Sequence, residues 1–446
     1  MADSLFCAKY ACFCNFAAAR FSFILNPDRK KRERYEGGIS TMNAREREIA
    51  TLSFSNEGLD YGVVEESMEP WDQTVKNWAE QGYDAGVLTE LHGGELPTEN
   101  VYAFNAPFDR WQYYYNTMQT ETLMRYETGL GLDPCARITF RIPFICFEEE
   151  ILEDTDEYTI KRDRDGWIRK YPKDGGLVRV VRTVVEDEED WEDLKKRVRK
   201  VIREELTPER MEEAYGKFRD GAKNGDYAVR LRLSGFFWEP RFLMDNELSL
   251  FAYYDHPEMM KDIAQFMVDV YKEQLEEIFK IVTPSLVFFE EDLSGRNGPL
   301  ISPELFEDFM TPYYKQIIPF LKEHGVANVF MDTDGDFRII IPAALEAGIE
   351  GFLPIDVNAG VDIVAVREEY PKLKFFGGFN KLSIIDGPEA IEAELERLTP
   401  VIRQGGCIIC TDHQAAPDTT LENYRYYVRR LKETVARYRN KNVKIG

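Results

Sequence analysis

The chain has 446 residues, 44% hydrophobic and 30% charged, which excludes a disordered chain and suffices for a large core. Its 56 Lys+Arg against 80 Asp+Glu leave a net charge of −24, a surface that repels polyanions and so argues against nucleic-acid and anionic-membrane partners. No apolar run reaches the roughly 18 residues of a membrane span, and seven irregularly spaced cysteines make no disulfide framework, so a reducing cytoplasm is the expected compartment.

Residues 1–41 differ in character from residues 42–446. They hold Cys7, Cys12 and Cys14, and their apolar stretch is broken by Lys9, Asn15 and Arg20, unlike a signal peptide. Glu36-Gly37-Gly38 is encodable by a purine-rich string resembling a bacterial ribosome-binding site, just upstream of Met42. Residues 1–41 are therefore expected to be a non-native or disordered extension, with the domain spanning 42–446.

Residues 42–135 read as helices and loops, with Asn43 as an N-cap and a helical apolar spacing from Trp71 to Trp78. The aromatic cluster Phe104, Phe108, Trp111, Tyr113, Tyr114 and Tyr115 suits a core, an interface or the wall of a substrate pocket. Residues 137–185 alternate with period two between Asp-Gly turn signals, predicting antiparallel strands. Residues 186–221 predict charged helix with an acidic start.

From 227 to 440 strands and helices alternate. Strands are predicted at 229–234, 285–290, 327–331, 351–355, 373–377 and 406–410, with helices at 303–323, 336–347, 388–403 and 420–437. This pattern predicts an α/β fold, a (β/α)8 TIM barrel with an N-terminal helical segment and an antiparallel β insertion across 42–226. No Gly-x-Gly-x-x-Gly follows a strand, so a dinucleotide site is unsupported.

In such a barrel the active site lies at the C-terminal strand ends. Those ends carry Glu290-Glu291-Asp292, Asp332-Thr333-Asp334-Gly335-Asp336, Asp356, Asn380-Lys381 and Asp412-His413. Residues two apart on a strand share a side, so Asp332 with Asp334, and Glu290 with Asp292, present paired carboxylates. Three arrangements relieve their repulsion: a divalent metal held by Asp332 or Asp334 with His413, Lys381 as counter-ion, or a carboxyl kept protonated for acid catalysis. Taken singly, an Asp-Thr-Asp-Gly string is more often a turn with capping carboxylates, and a lone histidine more often a hydrogen-bonded loop residue. Cys407 and Cys410, three apart on a strand, face opposite sides and read as core.

The C-terminal half resembles the uroporphyrinogen decarboxylase superfamily, which also contains corrinoid-dependent methyltransferases. The resemblance rests on Asp292-Leu-Ser-Gly-Arg-Asn-Gly-Pro-Leu-Ile-Ser-Pro303, Met331-Asp-Thr-Asp-Gly-Asp336, Ala347-Gly-Ile-Glu-Gly-Phe-Leu-Pro354, Phe376-Gly-Gly-Phe-Asn-Lys381 and Asp412-His-Gln-Ala-Ala-Pro417. It implies a distorted (β/α)8 barrel. Two departures shape what it implies for function. The arginine-containing Arg-Gln-Ala-Gly-Arg segment that handles carboxylates in the true decarboxylase is missing, so uroporphyrinogen is a poor substrate here. The methyltransferases' zinc-binding His-x-Cys-Gly stands as Asp332-Thr333-Asp334-Gly335, and their later cysteine falls near His413, which implies an Asp, Asp, His set for a harder cation or a weaker zinc site.

The leading expectation is a methyltransferase moving a methyl group between a small substrate and a corrinoid carried by a partner protein. Asp332, Asp334 and His413 would hold a divalent metal, zinc by resemblance. Glu290 or Asp292 would be acid/base, with Asp334, Asp356 and Lys381 also in the site. The second is a metal-independent decarboxylase or lyase of a small carboxylic acid, with Lys381 and Arg296 on the carboxylate. The third is a non-catalytic binding barrel.

Overall fold

The computed structural model describes residues 42–55, 59, 61–84 and 120–439. Helix α1 (Ala44–Thr51) starts at Asn43, whose side chain accepts from the Glu46 N–H while the Glu46 carboxylate accepts from the Asn43 N–H, a reciprocal cap. Helices α2 (Asp72–Glu80) and α3 (Thr120–Leu130) precede β1 (Cys135–Thr139). A four-stranded antiparallel meander follows, β2 (Glu150–Asp154), β3 (Tyr158–Arg162), β4 (Ile168–Pro172) and β5 (Arg179–Arg182). Helices α4 (Glu188–Glu205), α5 (Pro208–Tyr215) and α6 (Arg219–Asn224) then lead into β6 (Ala228–Ser234).

The remaining units alternate. Helices α7 (Trp238–Met244), α8 (Asn246–Asp255) and α9 (Pro257–Ile281) connect β6 to β7 (Leu286–Glu290). The small ribbon β8 (Ser294–Gly295) and β9 (Gly298–Pro299), then α10 (Pro303–Phe309) and α11 (Thr311–Glu323), lead to β10 (Asn328–Asp332). Next come α12 (Ile341–Ala347), β11 (Gly351–Leu353), α13 (Ile363–Glu369), β12 (Lys374–Phe376), α14 (Leu382–Asp386), α15 (Pro388–Gln404), β13 (Cys407–Ile408) and α16 (Leu421–Arg439).

Seven parallel strands run in the order β1-β6-β7-β10-β11-β12-β13, the wall of a distorted (β/α)8 barrel. The segment Val63–Glu66 stands at the seam between β13 and β1. On one side Val64 O accepts from Asp133 N, and Glu66 O accepts from Arg137 Nη2 at 2.7 Å. On the other, the Glu66 carboxylate accepts from Thr411 N and Oγ1 at 3.1 and 2.6 Å. The interior holds Leu286, Phe288, Phe330, Leu353, Phe376, Ile408 and Cys410, closed from below by Leu52 after α1. Their neighbours Val287, Phe289, Val329 and Met331 pack against the outer helices, as the two-residue period requires. Gly351 leaves room for this packing: a Cβ there would stand 2.7 Å from the Phe330 ring and 2.6 Å from Lys374 O.

Three sequence expectations are corrected. Residues 137–139, at the head of the stretch assigned to the antiparallel sheet, belong to the parallel barrel strand β1, paired with β6. The helix expected over 303–323 breaks at Met310, because Pro312 cannot donate a backbone hydrogen bond. The helix expected over 336–347 begins as a 3-10 turn, Arg338–Ile340, and becomes α-helical only at Ile341, with Pro342 in its first turn. Cys407 and Cys410 are buried core residues, as expected. The aromatic cluster at 104–115 and residues 1–41 lie outside the described residues.

Candidate active site

Strands β7 and β10 set Glu290 and Asp332 side by side in register. One strand over, Arg232 of β6 donates through Nε to Glu290 Oε2 at 2.8 Å and through Nη2 to the other oxygen, a bidentate pair that uses up both groups. The Asp332 carboxyl makes no hydrogen bond among the described residues. It is only half-exposed at the barrel mouth, and burial, reinforced by the negative Glu290 beside it, pushes its pKa well above the usual carboxylate range. Both causes favour its protonated form over the carboxylate.

Asp292 follows at a backbone φ of +41°, a left-handed conformation costly for a residue with a Cβ. The turn is held by Asp332 O, which accepts from Glu291 N and Asp292 N at 2.9 and 3.0 Å, and by Thr333 Oγ1, which accepts from Leu293 N and Ser294 N at 3.1 Å. Arg241 of α7 donates to Asp292 Oδ2 at 3.2 Å, while burial raises the Asp292 pKa.

Glu291 points away from the mouth. Its buried carboxylate accepts from the N–H groups of Phe236, Phe237 and Trp238 and from the Tyr314 hydroxyl. It thereby fastens the loop from β6 into α7, and burial raises its pKa to about 7. Burial does the same to Glu239 on α7, also to about 7.

Across the mouth, His413 Nε2 lies 3.7 Å from Asp334 Oδ2, and Trp71 stacks on the imidazole with ring centres 6.1 Å apart. Asp334 Oδ1 is buried and has no partner among the described residues. Gly335 at φ +71° lets this turn press on the Gly295 backbone, where a Cβ would come within 2.4 Å of Gly295 C and O. Asp356 caps its own 3-10 turn by accepting from Ala359 N at 3.0 Å. Asp412 is fully buried and accepts from Lys381 N at 3.0 Å and Asn358 Nδ2 at 2.8 Å, with burial raising its pKa to about 6. The Lys381 ammonium beside it makes no hydrogen bond or ion pair among the described residues.

The mouth thus gathers Glu290, Asp292, Asp332 and Asp334, with His413 opposite. Asp356 is held as a turn cap, and Arg296 is exposed on the loop after β8. Asp332, Asp334 and His413 do not bring ligand atoms within 4.8 Å of one another. Among the described residues, Glu48, Glu65 and Cys135 at the barrel floor alone do so. That lower group already encloses a cation: Arg230 Nε lies 3.0 Å from Cys135 Sγ, Nη2 lies 2.7 Å from Glu65 Oε2, and the guanidinium stands 4.5 Å from the Phe376 ring centre. The mouth residues do not fit a divalent ion as placed, whereas the lower three lie close enough to hold one but have Arg230 among them.

Sequence reasoning missed Arg232, Arg241, Glu239 and Trp71. Arg230 and Arg232 did carry a signal, since they alternate with Leu231 and Leu233 inside the predicted strand 229–234. Nothing in the local sequence of Trp71 points to His413.

Residues 243–434 match the family described as Uroporphyrinogen decarboxylase (URO-D). Over these residues the chain is similar to that family. The match takes in β7, β10, β11, β12 and β13, and with them every strand-end carboxylate of the mouth, whereas β1, β6 and Arg232 lie upstream of it. A methyltransferase from Methanosarcina mazei has a similar fold, with a TM-score of 0.50, 13% sequence identity, and coverage of 88% of this chain and 99% of that one. No curated protein matches the sequence. Among the described residues, no helix is long and apolar enough to cross a membrane.

Proposed function

We propose that this superfamily enzyme breaks a bond between a heteroatom and a methyl group of a small substrate, with Asp332 as the general acid. The Asp332 proton passes to the oxygen or nitrogen as the bond breaks, the bonding electron pair stays on that atom, and the methyl group leaves to an acceptor. The acceptor in this reading is a corrinoid presented by a partner protein. The observation that carries the proposal is Asp332 itself, an acid whose protonated form is favoured by burial and by Glu290, without a hydrogen bond among the described residues and facing the mouth. A Brønsted acid there does the polarising that a Lewis acid would otherwise do. The surrounding carboxylates favour a neutral or cationic substrate, such as a methyl ether or a methylamine, over an anion.

A second reading, decarboxylation of a small acid, is favoured by the unpaired Lys381 ammonium at the same mouth. The two separate in one experiment. The full chain is incubated with a panel of methyl ethers and methylamines plus reduced cobalamin, and the cobalamin spectrum is followed. In parallel, carbon dioxide release is measured from small carboxylic acids. Methyl-dependent spectral change that is lost in Asp332→Asn supports the first reading, and carbon dioxide release supports the second. Full methyl transfer by Asp332→Asn would sink the proposed role of Asp332.

A further inference from the structure

Helix α4 buries Trp191, Leu194, Val198, Val201 and Ile202 and turns a charged ridge outward. The charges are ordered. About the midpoint between Leu194 and Lys195, Asp193 mirrors Lys196, Glu192 mirrors Arg197, Asp190 mirrors Arg199, Glu189 mirrors Lys200 and Glu186 mirrors Arg203. Each mirrored pair is opposite in sign. The helix macrodipole accounts for acids first and bases last, but it requires no one-to-one match. It also leaves Glu189, Lys196, Lys200 and Arg203 without an ion pair among the described residues.

Two concavities lie along this ridge. One, about 390 Å³, is lined by Lys195, Lys196, Arg199, Arg203 and Phe266. The other, about 490 Å³, is lined chiefly by Asp187, Glu189, Asp190, Glu192 and Asp193. One is basic and the other acidic, on one helix of a protein whose net charge is −24.

We propose that α4 is a self-complementary docking surface for a second copy of this chain. Two α4 helices would lie antiparallel across a two-fold axis at residues 194/195. A two-fold axis brings the same patch of each copy together, and only the antiparallel arrangement sets the acidic half of each helix against the basic half of the other. Asp193 then meets Lys196, and Glu189 meets Lys200, twice each. Arg182 at the end of β5 lines the acidic concavity, so the exposed Val180 and Val181 of that edge strand continue the same surface with apolar contact.

The test is sedimentation of the full chain over a concentration series at low and high salt. A reversible dimer that weakens as salt rises is expected, because exposed ion pairs are screened. Lys196→Glu/Lys200→Glu and Glu189→Lys/Asp193→Lys should each raise the dimer dissociation constant at least about tenfold. An equimolar mixture of the two variants should regain dimer, since every facing pair is again opposite in sign. A wild-type chain that stays monomeric at low salt, a dimer indifferent to both charge reversals, or a mixture that fails to associate would each overturn the proposal.

Discussion

Arg232 spends its hydrogen bonds on Glu290, and Asp332, the next carboxyl along the barrel rim, feels that cation only at a distance. Burial raises the Asp332 pKa most, and its two neighbours adjust it in opposite directions: Glu290 raises it and Arg232 lowers it. A general acid works only while protonated, so its pKa marks the basic limb of the pH–rate profile. Glu290→Gln removes a negative charge and frees Arg232, and should move that limb to lower pH. Arg232→Met leaves Glu290 uncompensated and should move it to higher pH. Profiles that shift together, or not at all, would remove Asp332 from the acid role.

Glu239 and Glu291 have folded-state pKa values of about 7, against an ordinary 4.5. The folded chain binds these two protons more tightly than the unfolded chain. Their stabilisation is complete below about pH 4.5 and is lost as pH rises through 7. Each contributes on the order of 3 kcal/mol to that slope. Denaturant titrations at stepped pH should show stability falling across this window, and Glu239→Gln should flatten the fall. An unchanged slope in the variant would mean that Glu239 ionises as freely in the folded chain as in the unfolded one.

Arg230 is the cation of the barrel floor. Replacing it with Met strands the carboxyls of Glu48 and Glu65 and the thiol of Cys135 in a buried space. Breaking a buried pair from one side costs roughly 3–5 kcal/mol. The loss is expected in the denaturation midpoint, with partial recovery in Arg230→Met/Glu65→Gln, where one of the stranded charges is gone. A midpoint like that of the wild type would show that the guanidinium is not what balances the floor.

Much of this fold is legible in the sequence because the barrel wall is built from short apolar strands with turn residues between them. The stretches 285–290 and 327–331 correspond to Leu286–Glu290 and Asn328–Asp332, and the acids at their ends do meet. β1 is not legible as a barrel strand because this part of the barrel interior is polar. Cys135, Arg137 and Thr139 face inward, toward Arg230 and Arg232, so the strand alternates like one lying on a wet surface. The roles within the site are less legible. Glu290 reads like Asp332 in sequence until Arg232 takes one and leaves the other. Glu291, which flanks both, faces the opposite way to hold Phe236, Phe237 and Trp238.

The divergence of Asp332 from Asp334 and His413 bears on metal loading. Protein exposed to zinc and then dialysed should retain the same zinc whether residue 334 is Asp or Ala, while Asp334→Ala lowers kcat/KM by loosening His413. Elemental analysis checks the first half and steady-state kinetics the second. A drop of about one ion per chain in the variant would mean that the three residues converge on a metal after all.

The Glu66 carboxylate at the seam collects hydrogen bonds from Thr411 and from the Tyr424 and Tyr427 hydroxyls of the final helix, partners 345 to 361 residues away along the chain. Until Tyr424 and Tyr427 are in place, this buried carboxylate lacks two of its donors and the barrel stays unlatched. On the ribosome, closure must therefore wait until Tyr424 and Tyr427 have been made. Before that point the parallel strands have no closed barrel to join, and their apolar inner face depends on outside protection.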